Sequence, residues 1–94
     1  MIDVNVSKEV LVIGDQLLRS GTSVAAHVRE ASRARSNAEF VSKLGGAIQE
    51  ADESALWLEL LHEECGISSD LVHPIHAETN ELIAIMTTIK KRSE

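Results

Sequence analysis

Apolar and small residues recur along the first third of the chain at spacings of three and four. Val10, Leu17, Val24 and Ala31 fall on one stripe, Gly14, Gly21 and Val28 on an interleaved one, and Leu11, Leu18 and Ala25 widen the face to a third row. Side chains at this spacing share one face of an α-helix. A glycine inside a helix costs about 1 kcal/mol relative to alanine, so Gly21-Thr22-Ser23 invites a break. The phase set before Gly21 nevertheless continues after it, and a loop would reset that phase. The pattern predicts one rod from about Lys8 to Arg35, whose glycine-lined side (Gly14, Gly21, Ala25, Ala26) is buried by other helices. Two shorter helices joined at Gly21 are the alternative.

Ser36-Asn37-Ala38-Glu39 reads as a capping box that starts a second helix. Its expected buried stripe is Phe40/Val41, Leu44, Ile48, Ala51, Ala55, Leu58 and Leu61. Gly66 suits the left-handed position after its last turn, with Ile67 folding back towards Leu61. A third helix follows, capped by Ser68 or Ser69. Pro74 either bends it or delays its start to about His73. Leu71, Ile75, Leu82, Ile85 and Ile89 form its expected buried stripe, broadened by Ile83 and Met86. Residues 1–7, MIDVNVS, alternate apolar and polar as a strand would, but are too short for a sheet and are assigned as a flexible arm ahead of a single domain, residues 8–94. Three helices joined by short turns predict an all-α, antiparallel up-down-up bundle.

Composition sharpens this picture. The chain is 44% hydrophobic but only 2% aromatic, so its core is built from Leu, Ile, Val and Ala, which helix bundles accept and most β-sandwiches do not. A single cysteine excludes an internal disulfide and fits a reducing compartment. The longest apolar runs are too short for a membrane span or a secretory leader, and a cytoplasmic location is expected.

Charge is unevenly placed beneath a net −6. Arg19, Arg29, Arg33, Arg35 and Lys43 face only Glu30 and Glu39 in their stretch, whereas Gly46 to Asp70 carries seven acids and no Lys or Arg. One reading has these charges solvating outer faces and pairing between helices, with Glu50 and Glu53, a helical turn apart, reaching Arg19 or Arg29. The other makes Arg19, Arg29, Arg33, Arg35 and Lys43 a phosphate-binding patch. Against it, nucleic-acid domains are basic overall, and no aromatic is available here for base stacking.

No catalytic constellation emerges. Glu59-Leu60-Leu61-His62 supplies one Glu-x-x-His, but the third helix has no second copy for a ferritin-like di-metal centre. His73 and His76 with His62 or Cys65 are zinc-compatible types without assured convergence. Cys65 at a helix C-terminus meets the negative dipole end, which opposes a thiolate. Gly45-Gly46 lacks the lysine of a phosphate loop and fits close helix packing. Neither catalytic residue, metal nor cofactor is assigned.

Leu17-Leu18-Arg19-Ser20-Gly21-Thr22-Ser23-Val24-Ala25-Ala26, Arg29-Glu30-Ala31, Ser36-x-x-Glu39-Phe40, and then Ala47, Glu50, Glu53, Trp57-Leu58 and Leu61 resemble, in order, the bacterial four-helix-bundle family, also called the 23S rRNA intervening-sequence protein family. The resemblance spans roughly Ile13 to Ile67. It implies an up-and-down bundle, a cytosolic bacterial protein and assembly into ring-like homopentamers. It also implies kinship with the accessory protein of diversity-generating retroelements, where such a ring engages nucleic acid and a reverse transcriptase. Glu30, Glu50 and Glu53 match acidic positions of the family and are assigned to inter-helix ion pairs. Where relatives have a full first helix this chain has only MIDVNVS, so three helices are expected, and the uncovered face is expected to be closed by other subunits. The functional expectation is a non-enzymatic oligomeric scaffold or interaction protein. The alternative is a nucleic-acid-binding accessory using the Arg19–Lys43 patch.

Overall fold

The computed structural model describes residues 7–94, which form three helices: α1 (Lys8–Ser32), α2 (Asn37–Glu63) and α3 (Ser69–Ser93), with no strand among the described residues. Residues 1–6 of the expected arm (1–7) lie outside the described residues. Ser7 caps α1, its hydroxyl accepting from the Val10 amide at 3.3 Å. The helix then runs unbroken through Gly21, as the preserved phase requires. It stops at Ser32 rather than near Arg35 because the chain must turn. Arg33 leaves helical geometry (φ −110°, ψ 14°), and Ser36 is already extended (φ −152°, ψ 161°), so that its hydroxyl accepts from the Glu39 amide at 3.0 Å. The Glu39 carboxylate does not close the expected capping box; it faces Arg35 at 3.8 Å.

At the far end of α2, Gly66 takes φ 70° and the Ile67 amide donates back to the Leu61 carbonyl at 3.0 Å. A residue with a Cβ resists that left-handed conformation. Ser68 caps α3 through the Asp70 amide at 3.2 Å. Pro74 lies inside α3, which begins at Ser69 and not near His73.

The helices lie side by side with α2 in the middle: α1 packs on α2, α2 packs on α3, and α1 and α3 do not touch. The result is an elongated body of 48 × 22 × 19 Å. Alanines at positions 47, 51 and 55 of α2 keep its surface low, so both neighbours approach closely. Leu44, Ala47, Ala51 and Met86 form the core cluster, with Val24, Phe40, Ile48 and Ile83 packed against it. At the centre of the α1–α2 contact sits a residue outside every expected stripe: Ser20, fully buried, whose hydroxyl meets that of Ser54 at 2.7 Å.

Two expectations about burial are corrected. On α3, Val72, Met86 and half-buried Ile83 face α2, while Leu71, Ile75, Leu82, Ile85 and Ile89 stay exposed. Neighbouring positions lie about 100° apart around a helix, so turning one stripe inward turns the other to the side. On α1, a Cβ added at Gly14 or Gly21 meets nothing within 4 Å. The glycine-lined side is therefore covered by neither α2 nor α3. The glycine that serves close packing is Gly46, over which the His27 ring lies.

Candidate functional site

Two lines of side chains define the most distinctive surface. Along α1, Leu11, Gly14, Leu18, Gly21, Ala25 and Val28 follow one another at spacings of three and four. Along α3, Leu71, Ile75, Leu82, Ile85 and Ile89 follow at steps of four, seven, three and four. Both rows flank a groove of about 500 Å³ whose floor is Ala51, Ser54 and Leu58 of α2 and whose walls include Leu17, Leu18, Gly21, Ile75 and Leu82. Leu11 (59% exposed), Leu18 (66%), Leu71 (67%), Ile75 (55%) and Leu82 (52%) are wet. Contiguous apolar surface of this kind makes this face the candidate interaction surface.

The charged residues singled out in the sequence separate into two groups. Arg19 bridges Glu50 at 3.4 Å and Glu53 at 2.8 Å, clamping the middle of α1 to α2. Lys43 meets Glu30 at 2.7 Å. Its ammonium group, by hydrogen bond and then by charge, holds the Glu30 carboxyl below its ordinary value, and Glu30 in turn raises Lys43. Arg35 reaches only Glu39. Arg29 and Arg33 are exposed and have no carboxylate partner among the described residues.

The fold adds cations that sequence proximity does not reveal. Because α1 and α3 run in the same direction, the end of α3 lies beside the start of α2, where the Asn37 side-chain amide donates to the Ser93 carbonyl. Lys91 and Arg92 therefore share an end of the body with Arg29, Arg33 and Arg35. Their favourable position over the C-terminal carbonyls of α3 is the local reason for their placement.

At the opposite end, Glu59, His62, Glu63, His73 and His76 line a pocket of about 220 Å³. His76 Nε2 lies 3.1 Å from a Glu59 carboxylate oxygen, and His62 Nδ1 lies 2.7 Å from the Ile67 carbonyl. No three His, Cys, Asp or Glu residues converge as a metal site among the described residues. No helix of the described residues is long and apolar enough to cross a membrane.

A family model for the 23S rRNA-intervening sequence protein matches residues 4–88. The chain belongs to that family. A solved structure from the S23 ribosomal protein family of Bacteroides thetaiotaomicron, itself of unknown function, is 40% identical, with a TM-score of 0.81 over 85% of this chain and 74% of that one. None of the curated proteins compared matches. The Arg19–Glu50–Glu53 clamp and the buried Ser20 thus belong to a 23S rRNA-intervening sequence protein whose three described helices leave one broad apolar face uncovered.

Proposed function

We propose that this protein acts as a non-enzymatic interaction module of the cytoplasm, self-associating through the open face between α1 and α3. The observation that carries this reading is the pair of exposed apolar rows beside a groove with an apolar floor. A Leu- or Ile-sized side chain gains about 1.5–3 kcal/mol when fully buried. Covering even four of them matches the lower end of a small domain's whole stability, ~5 kcal/mol. Sedimentation at micromolar concentration is expected to show an oligomer, for which the family resemblance implies five copies. Leu18→Glu combined with Leu82→Glu is expected to give a folded monomer. A wild-type protein that sediments as a monomer overturns the reading.

A second reading rests on the basic end. Arg29, Arg33 and Arg35 stand with Lys91 and Arg92 on one end of the body, and the family's name ties its relatives to ribosomal RNA genes. Phosphate backbones would be the ligand, and binding would fall steeply with salt. Salt-dependent capture of RNA or DNA, weakened by Arg33→Ala plus Arg35→Ala, supports it; absence of binding at low salt removes it.

A further inference from the structure

The imidazoles and carboxylates where α2 turns into α3 serve neither the open face nor the basic end. Glu59, His62 and Glu63 stand three and four residues apart on one face of α2, and Val72, His73 and His76 do the same on α3; all of them line the pocket of about 220 Å³. The two helices run antiparallel across it. Glu59 meets His76 at 3.1 Å, so three residues further along α2 and three back along α3 bring His62 opposite His73. A Glu-x-x-His thus faces a His-x-x-His. The His62 ring is already oriented. Its Nδ1 donates to the Ile67 carbonyl at 2.7 Å, which leaves the Nε2 lone pair of the neutral ring for a ligand. Metal-bound histidines are ordinarily oriented by such a bond to a carbonyl or carboxylate.

We infer that these facing pairs are the site of one Zn2+ ion, held by His62, His73, His76 and Glu59 and tying the start of α3 to the end of α2. As the side chains stand, no three donors converge among the described residues, because His76 and Glu59 engage one another while His62 and His73 are exposed. The rearrangement needed is of side chains only. Zinc–nitrogen and zinc–oxygen bonds of about 2.0–2.2 Å at a tetrahedral angle put two ligand atoms about 3.3 Å apart, and His76 Nε2 and the Glu59 oxygen are already 3.1 Å apart. An ion between them replaces their hydrogen bond. The ring proton then moves to Nδ1 of His76, where the Asn80 amide, 3.3 Å away, can turn its oxygen to accept it. Packed helices stand about 8–10 Å apart, a gap that Glu59 and His76 already close, and His62 and His73 face it one turn away. Three imidazoles and a carboxylate suit zinc. Ile75, a wall of the groove, lies between His73 and His76 in sequence, so the ion would also fix one edge of the open face.

Zn2+ titrated into the chelator-treated protein and followed by calorimetry is expected to show one ion per chain. His62→Ala and His73→Ala should each weaken binding at least about tenfold; both rings are exposed, so the variants keep the fold. At roughly 100 times the dissociation constant, Zn2+ should raise the urea midpoint of the wild type and leave that of the double variant unmoved. Cys65→Ser, which removes the thiol of the intervening turn, should bind as the wild type does. Absence of binding up to about 1 mM Zn2+, unchanged affinity in both histidine variants, or a loss in Cys65→Ser as large as in His62→Ala overturns the assignment.

Discussion

Replacing Gly46 by alanine places a Cβ 2.5 Å from His27 Cδ2, 2.8 Å from Nε2 and 3.3 Å from Cγ. Carbon atoms in contact ordinarily stand about 3.5–4.0 Å apart, so the ring must withdraw by about 1 Å. It is not free to do so, because its Nδ1 lies 2.8 Å from the Ser23 carbonyl and the ring is half-buried between α1 and α2. Overpacking of this kind costs about 1–3 kcal/mol, and losing the hydrogen bond adds about 1 kcal/mol. Removing a helical glycine returns about 1 kcal/mol. The expected net result is a loss of about 1–3 kcal/mol. In a His27→Ala background the obstacle is gone, and the same Gly46→Ala change should stabilise by roughly 1 kcal/mol. The sign reversal is the diagnostic. Urea unfolding, followed by Trp57 fluorescence and far-UV circular dichroism at one protein concentration, measures it. With a slope of about 2 kcal/mol per molar, the midpoint should fall by roughly 0.5–1.5 M in the first background and rise in the second. An unchanged or raised midpoint for Gly46→Ala alone, or the same sign in both backgrounds, would refute the packing of His27 on Gly46.

Three further outcomes follow from the same contacts. Ser20→Ala and Ser54→Ala should each cost about 0.5–1.5 kcal/mol, but the double variant should cost less than their sum, because together they remove the buried hydroxyl pair (2.7 Å) and leave neither partner alone; strict additivity in urea unfolding would argue against the pair. Gly66→Ala forces a side chain into φ 70° and should cost about 1–2 kcal/mol, with Gly66→Asn milder; equal stability of all three proteins would contradict the left-handed turn. Lys43→Met removes the partner that depresses Glu30. A depressed carboxyl stabilises the fold above its unfolded-state pKa, and that contribution is lost as pH falls through the folded value. The stability gap between wild type and variant should therefore be open at neutral pH and close on acidification below the ordinary glutamate value of 4.5; a gap that persists in acid would assign Lys43 a packing role instead.

Helix boundaries were the most legible feature, because caps are local. Ser36 with Glu39, Gly66 and Ser68 each act within three residues of themselves, and each forms the turn its neighbours require. Facing was not legible. On α1 the apolar and small positions cover about half the circumference, so periodicity identifies an arc but not which edge of it meets α2. That contact centres on Ser20, a polar residue that becomes buried only because Ser54 supplies a partner 34 positions later. On α3 the bulkiest stripe stayed out, since Val72 and Met86 meet the low alanine surface of α2. The basic end was half visible. Arg29, Arg33 and Arg35 are close in sequence, whereas Lys91 and Arg92 join them only through parallel placement of α1 and α3. The ion pairs show the same limit: acids were identifiable on α2, but Lys43 as the partner of Glu30 depends on the helix crossing.

The distribution of large apolar side chains explains why fold and interaction are separable in this protein. Leu44, Leu58, Val72 and Met86 are buried in the described chain, and the first two belong to α2, the one helix with neighbours on two sides. Truncating a buried leucine costs about 2–5 kcal/mol, a large share of what a domain of this size holds. Leu18, Ile75 and Leu82 have a weaker hold on the isolated chain, because half or more of each remains exposed. The exposed part of these side chains contributes nothing to folding α1 or α3, and it carries an aggregation risk that charged residues at those positions would remove. A row of such side chains at helical spacing on both flanks of one groove is only partly accounted for by the fold beneath it, and docking on that face, as proposed above, would account for the rest.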